Sequence, residues 1–144
     1  RSCLLNNFYT LHNDFRGMGI GVDMAWAPFQ IDANMGGSAA IQEMLLFSVP
    51  GTLSLLPALP ARFVRGKAGP LLARGAIEAT LEWDAEIGAL NVELKSVFAD
   101  QEVDLIIPPR FASRGEASKV RISLKRGETQ TYQFQALRDK QIAR

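Results

Sequence analysis

The chain has little cysteine, little histidine and no real excess of either charge. Its 144 residues carry 16 Lys and Arg against 15 Asp and Glu, a net charge of +1. Cys3 has no second cysteine, so no internal disulfide forms, and neither Cys3 nor His12 has the clustered neighbours a metal site needs. No metal and no cofactor is expected. The even charge argues against a nucleic-acid surface, which requires clustered surplus Lys and Arg. No apolar run reads as a membrane span, because Gln42, Glu43 and prolines interrupt the stretch from Ala39 to Leu59. No charged-then-apolar leader follows Arg1, so no targeting segment can be read. A start without methionine points to a piece of a longer parent, and the compartment is left open, a secreted or periplasmic parent being the expectation.

What charge there is lies mostly in the second half. Residues 1–60 hold only Arg1, Arg16, Asp14, Asp23, Asp32 and Glu43. So apolar a stretch is poorly suited to be free surface. It reads as the interior end of a larger domain (1–60), followed by a peripheral domain with ordinary surface (61–144).

The periodicities agree with that division. From about Ser38 to Val49 apolar residues cover most of a helical circumference, which predicts a helix buried nearly all round, with Ser38 as N-cap and Pro50-Gly51 as its stop. Thr52 to Leu56 reads as a short strand, and Pro57 and Pro60 bracket an irregular link. Beyond it the period becomes two. Ile77, Ala79, Leu81 and Trp83 alternate with Glu78, Thr80, Glu82 and Asp84, and Leu90, Val92 and Leu94 do the same on the next strand. The Asp84–Gly88 link closes these two into a hairpin. Val103, Leu105 and Ile107, then Val120, Ile122 and Leu124, then Thr131–Phe134 continue the scheme. Strands at such intervals predict a sandwich of antiparallel sheets, with Trp83 in its core and a frayed tail from Arg138.

One segment carries chemistry. Ala27-Pro-Phe-Gln-Ile-Asp-Ala-Asn-Met-Gly-Gly-Ser38 places the carboxylate Asp32 and the amide Asn34 between apolar anchors and a glycine pair. Gly36-Gly37 is expected to turn tightly or to approach a ligand. Two readings stay open on the residues alone: a polar site held by a rigid helix, or an Asp and Asn that cap the helix and satisfy a turn. Glu43, within the helix, reads as a partly buried structural acid. His12, among Asn13, Asp14 and Arg16, reads as a loop histidine or as part of a sugar-binding loop.

The motif resembles the end of the catalytic domain in glycoside hydrolase family 95, the inverting α-L-fucosidases and related α-L-galactosidases. Pro28-Phe-Gln-Ile-Asp-Ala-Asn-Met-Gly-Gly37, Ala39-Ala-Ile-Gln-Glu-Met-Leu-Leu46 and Leu55-Leu-Pro-Ala-Leu-Pro60 look like consecutive family blocks. So do Gly66-Lys67 and Leu72-Ala-Arg-Gly75, ahead of Trp83. The resemblance implies an α+β, mainly β chain: the end of an (α/α) barrel, then an antiparallel β-sandwich. It implies an oligosaccharide or glycoconjugate substrate for the parent, with Asp32 as the base-side carboxylate. Asn34 and Gln30 are the candidate orienting groups. Inversion needs a second carboxyl as acid, and in this family it lies upstream of the motif, so the 144 residues alone are expected to be inactive. Where many members read His-Pro-Pro-Phe, this chain has Trp26-Ala27-Pro28-Phe29. An indole can stack on a sugar face but lacks imidazole's hydrogen bonds, which bears on which sugar is taken. The other reading, from a different class, is a non-catalytic sandwich module for carbohydrate binding or domain docking. The uncovered helix at 38–49 is further expected to drive self-association of the fragment.

Overall fold

The computed structural model describes residues 31–113 and 119–136, the side chains of 31–34 excepted. The chain divides into two compact units, Arg1–Ile41 and Gln42–Arg144. The described elements are α1 (Ile31–Leu45), β1 (Leu46–Val49), β2 (Thr52–Leu55), β3 (Arg65–Ala73), β4 (Ile77–Asp84), β5 (Ala89–Ser96), β6 (Gln101–Ile106), a 3₁₀ turn at Pro109–Phe111, β7 (Lys119–Leu124) and β8 (Thr129–Gln135).

The strands form two four-stranded sheets, ordered β1-β2-β6-β7 and β3-β4-β5-β8. Every pairing is antiparallel except β2 with β6, which run parallel. The period-two pattern does what the sequence implied. Leu81, Leu90, Val92 and Leu94 of the second sheet and Leu53, Val103, Leu105 and Leu124 of the first are completely buried or nearly so, in one cluster. Phe111 of the 3₁₀ turn joins that cluster, and Trp83 lies in it with Nε1–H donating to Phe63 O at 3.0 Å. The β4–β5 hairpin closes as expected. Asp84 Oδ1 accepts the amides of Glu86 and Ile87, and Gly88 supplies a positive φ of 70°.

Two expectations fail around the helix. It does not start after a glycine turn at Ser38 and run to Val49; it spans Ile31–Leu45, with Gly36, Gly37 and Ser38 inside it. Glycine tolerates helical dihedrals at a cost of about 0.5–1 kcal/mol relative to alanine, and no proline interrupts 31–45. Leu46–Val49 is strand instead. A short apolar run is ambiguous by periodicity, and Pro50-Gly51 is a turn signal as well as a helix stop. Here it joins β1 to β2, with Val49 opposite Thr52 and Gly51 at φ 76°, the conformation a Pro-Gly turn places on glycine. All-round burial fails too. Residues 35–43 are exposed, and only Met44 and Leu45 are half-buried.

The second compact unit, Gln42–Arg144, includes β1 and β2, which belong to the first sheet. Strand β3 was not anticipated at all. Its Gly69-Pro70 pair looks like a breaker, and the ladder accommodates it by a register shift between Ala68 and Leu71.

Surface ion pairs cross from β6 and the loop before it to β7 and its exit: half-buried Asp104 with Lys119, and exposed Glu102 with Arg121 and Asp100 with Lys125. The Arg126 amide donates to Asp100 Oδ1 at 2.8 Å. That bond, followed by the Lys125 hydrogen bond, holds Asp100 below its ordinary value of 3.8. The Lys119 hydrogen bond does the same for Asp104, and Asp100 in turn raises Lys125. A carboxylate depressed in the folded state stabilises it above the ordinary carboxylate range, and that contribution disappears as pH falls through the lowered value. Surface pairs of this kind are weak, so the effect is local. The Arg126 amide shift, followed by NMR, is expected to titrate with a midpoint below 3.8, and Asp100→Asn should abolish the titration.

A second prediction concerns glycines. A Cβ at Gly66 would lie 2.3 Å from Trp83 Cζ2, whereas at Gly37 nothing lies within 4 Å. Gly66→Ala is therefore expected to cost about 1–3 kcal/mol in urea unfolding, the usual range for overpacking. Gly37→Ala should instead strengthen α1 by about 0.5–1 kcal/mol, seen as a gain in helical circular dichroism.

Candidate functional site

Of the residues singled out in the sequence, Asp32 and Asn34 fall in α1, two positions apart. His12, Trp26 and Gln30 lie outside the described residues. Glu43 is exposed and not a partly buried acid. It lies eleven positions beyond Asp32 in the sequence of α1.

What the structure shows in detail is how α1 is held at its C-terminal end. The last carbonyls of a helix lack intrahelical partners. Here two are met by the irregular link after β2: Leu56 N–H donates to Leu45 O at 2.8 Å and Ala58 N–H to Met44 O at 3.2 Å. Leu55, the last residue of β2, and Leu56 and Leu59 of that link are buried in the common core. Pro57 and Pro60 have no N–H to leave unpaired. Leu56 adopts φ 47°, a conformation leucine seldom takes, held here by its buried side chain and its bond to the helix. The Leu-Leu-Pro-Ala-Leu-Pro block is thus a tertiary cap for α1.

The end of β3 grips the same region. Gln42 Nε2 in the last turns of α1 donates to Leu72 O at 3.2 Å. Two residues on, the Arg74 amide donates to Ser48 Oγ at 3.0 Å and Arg74 Nη1 to Ser48 O at 2.8 Å. Gly75, at φ 87°, then turns the chain, and its carbonyl accepts Gln101 Nε2. Periodicity gave no sign of these roles. The only signal was the Leu-Ala-Arg-Gly block, an arginine just ahead of a turn glycine at the end of a strand.

Elsewhere the described surface offers little chemistry. Among the described residues no group of His, Cys, Asp or Glu is placed to hold a metal, and no helix is long and apolar enough to cross a membrane. A shallow groove of about 310 Å³ between Ser54–Pro57 and Ile106–Pro109 has no titratable lining. The aspartates with perturbed protonation, Asp100 and Asp104, belong to the β6–β7 ion pairs and not to a cleft.

Comparison with known proteins bears on the blocks just placed. Residues 48–143 match the model of the glycoside hydrolase family 95 C-terminal domain. A segment of 60 residues is 48% identical to Alpha-L-fucosidase 2 of Arabidopsis thaliana, covering 41% of this chain but 7% of that protein. With two four-stranded sheets over the matched span, and the match covering most of the chain, the chain belongs to glycoside hydrolase family 95, whose C-terminal domain it carries.

Proposed function

We propose that the chain is the C-terminal part of an inverting glycoside hydrolase that releases a terminal sugar, α-L-fucose or a relative such as α-L-galactose, from oligosaccharides. The family match over 48–143 carries this reading, and a similar protein named as an α-L-fucosidase supports the choice of sugar. In it, the residues up to the end of α1 are the end of a helical barrel. Asp32 activates the attacking water, Asn34 and Gln30 orient water or sugar, Trp26 stacks on the sugar and His12 serves a binding loop. The acid is supplied by an element upstream. For the sandwich itself, docking is favoured over sugar binding, because the groove beside Pro57 is lined by aliphatic residues and prolines, with Ser54 its one hydroxyl.

The decisive variant is Asp32→Asn in the full-length hydrolase. A base in its role typically contributes about 10²–10⁴-fold, so kcat on a nitrophenyl α-L-fucoside should fall by at least the lower figure with the melting temperature nearly unchanged. A capping Asp predicts the opposite, a loss of about 0.5–2 kcal/mol of stability with normal turnover. The 144 residues alone should show no turnover of either the fucoside or the galactoside.

The exposure of Met35 (67%) and Ile41 (55%) supports association of the isolated chain through α1. Sedimentation at micromolar concentration should show oligomers, and Ile41→Glu should dissolve them. Leu46→Glu is not an equivalent probe, since Leu46 is a core residue of the sandwich at 2% exposure.

A further inference from the structure

We propose that β8 is a dimerisation edge: a second copy of the hydrolase lays its own β8 antiparallel to this one, centred on Thr131, and the two four-stranded sheets β3-β4-β5-β8 become one continuous sheet. It rests on strands within the sandwich and not on the role of Asp32.

A strand at the end of a sheet presents a row of unpaired N–H and C=O groups, and proteins blunt such rows with charge, proline, bulges or shortness. Among the described strands the sheets end in β1, β7, β3 and β8. Three of these are blunted. β1 has four residues, and the hydroxyl and carbonyl of its Ser48 accept Arg74. β7 carries Lys119 and Arg121, both in ion pairs. β3 carries Arg65 and Lys67 and breaks register between Ala68 and Leu71. β8 has none of these devices. Thr129-Gln-Thr-Tyr-Gln-Phe-Gln135 holds no charge and no proline, and it follows β5 in unbroken register from Lys95↔Thr129 to Ala89↔Gln135.

The ladder decides which groups β8 presents. One step beyond that register, the Ala136 amide donates to Gly88 O at 2.9 Å. Hydrogen-bonded and non-hydrogen-bonded positions alternate in an antiparallel pair. Gln130, Tyr132 and Phe134 therefore turn their backbone groups to β5, and Thr129, Thr131, Gln133 and Gln135 turn theirs outward. The Gln135 carbonyl accepts Ser113 Oγ at 2.8 Å, which agrees with that direction and leaves Thr129 to Gln133 as the row for a partner. A two-fold axis at Thr131 uses that row and nothing else. Thr131 then faces its own copy and Thr129 faces the second copy's Gln133, each pair exchanging two main-chain hydrogen bonds. No like charges meet, since the strand has none.

The inner face favours the same partner. Gln130, Tyr132 and Phe134 stand opposite Leu94, Val92 and Leu90. Those three are fully buried, whereas the β8 residues are only half-buried. The apolar layer runs out at β8, and the second copy's Tyr132, set against Gln130, continues it. A contact of this kind is isologous and closes at two copies.

The test uses the full-length hydrolase, with sedimentation across the micromolar range and hydrogen–deuterium exchange. A concentration-dependent dimer is expected, its Thr131 and Gln133 amides slowed in the dimer and fast in the monomer. Thr131→Lys should weaken it by about 10-fold or more, because the register brings the two lysines face to face. The fold should survive, since Thr131 is exposed and lies opposite Glu93 of β5, which can pair with the new ammonium. Gln133→Lys meets the second copy's Thr129 and should weaken the dimer far less. The exchange pattern of the unaltered protein tests the same edge without any variant. A strictly monomeric hydrolase would overturn the proposal, whether those amides exchange fast or are protected at every concentration by another part of the parent. A dimer untouched by Thr131→Lys, or weakened equally by both lysines, would also overturn it. In the isolated chain, Ile41→Glu removes the association through α1 and leaves this pair.

Discussion

Two backbone amides, those of Leu56 and Ala58, meet the last carbonyls of α1, and the layout of the sandwich's first sheet depends on that contact. A helix that ends against a core must have its terminal carbonyls satisfied, and the residues that do so must themselves be held. Buried Leu55, Leu56 and Leu59 hold them. Once the link is pinned in that way, β2 lies beside β1 in register, with Leu46 opposite Leu55, and the helix has one place at which to become strand. The proline spacing follows from the same requirement. Two positions in the link must donate to the helix, and Pro57 and Pro60 occupy positions that do not.

The sandwich also has edges to manage, since an unpaired strand edge invites association. Strands β1 and β3 are both edges. Both are met by hydrogen bonds: Gln42 Nε2 donates to the Leu72 carbonyl of β3, and on β1 the Ser48 hydroxyl accepts the Arg74 backbone amide and the Ser48 carbonyl accepts Arg74 Nη1. On β6 and β7 the devices are charged instead, three ion pairs on the face opposite buried Val103, Leu105, Ile122 and Leu124. The charge shift seen in the sequence after residue 60 follows from this. Strands with one face in water need polar partners on that face, whereas the helix–strand junction combines buried leucines with hydrogen bonds of the backbone and of Gln42, Ser48 and Arg74.

Legibility in the sequence tracked the clarity of the period. Strands β4, β5, β6, β7 and β8 were readable because each buries one face and wets the other, so side-chain chemistry alternates. β3 was not, because Gly66 is kept bare for the Trp83 ring and Gly69-Pro70 interrupts the ladder. Both are tertiary demands invisible to local propensity. The helix was found but displaced, since Leu45, Leu46 and Phe47 look alike to any periodicity while only the first is helical. Of the site, Asp32 and Asn34 were visible as a motif, and α1 carries both. Arg74 was visible only as part of a motif, without a role. Its partner is an unremarkable serine 26 residues away in sequence, a link that only the folded chain reveals.

The family resemblance also constrains how the proposed chemistry is divided. It puts the acid of the inverting pair upstream of the motif, so in the proposed reading the two carboxyls come from two elements. Two elements must then be set against each other to within a fraction of an ångström, with room for one water between the carboxyl groups. Asp32 and Asn34 lie early in α1, and the helix ends at Leu45. That end is fixed by a core-anchored link on one side and by β3's exit on the other. The described sandwich supplies the donors and acceptors that hold that last turn.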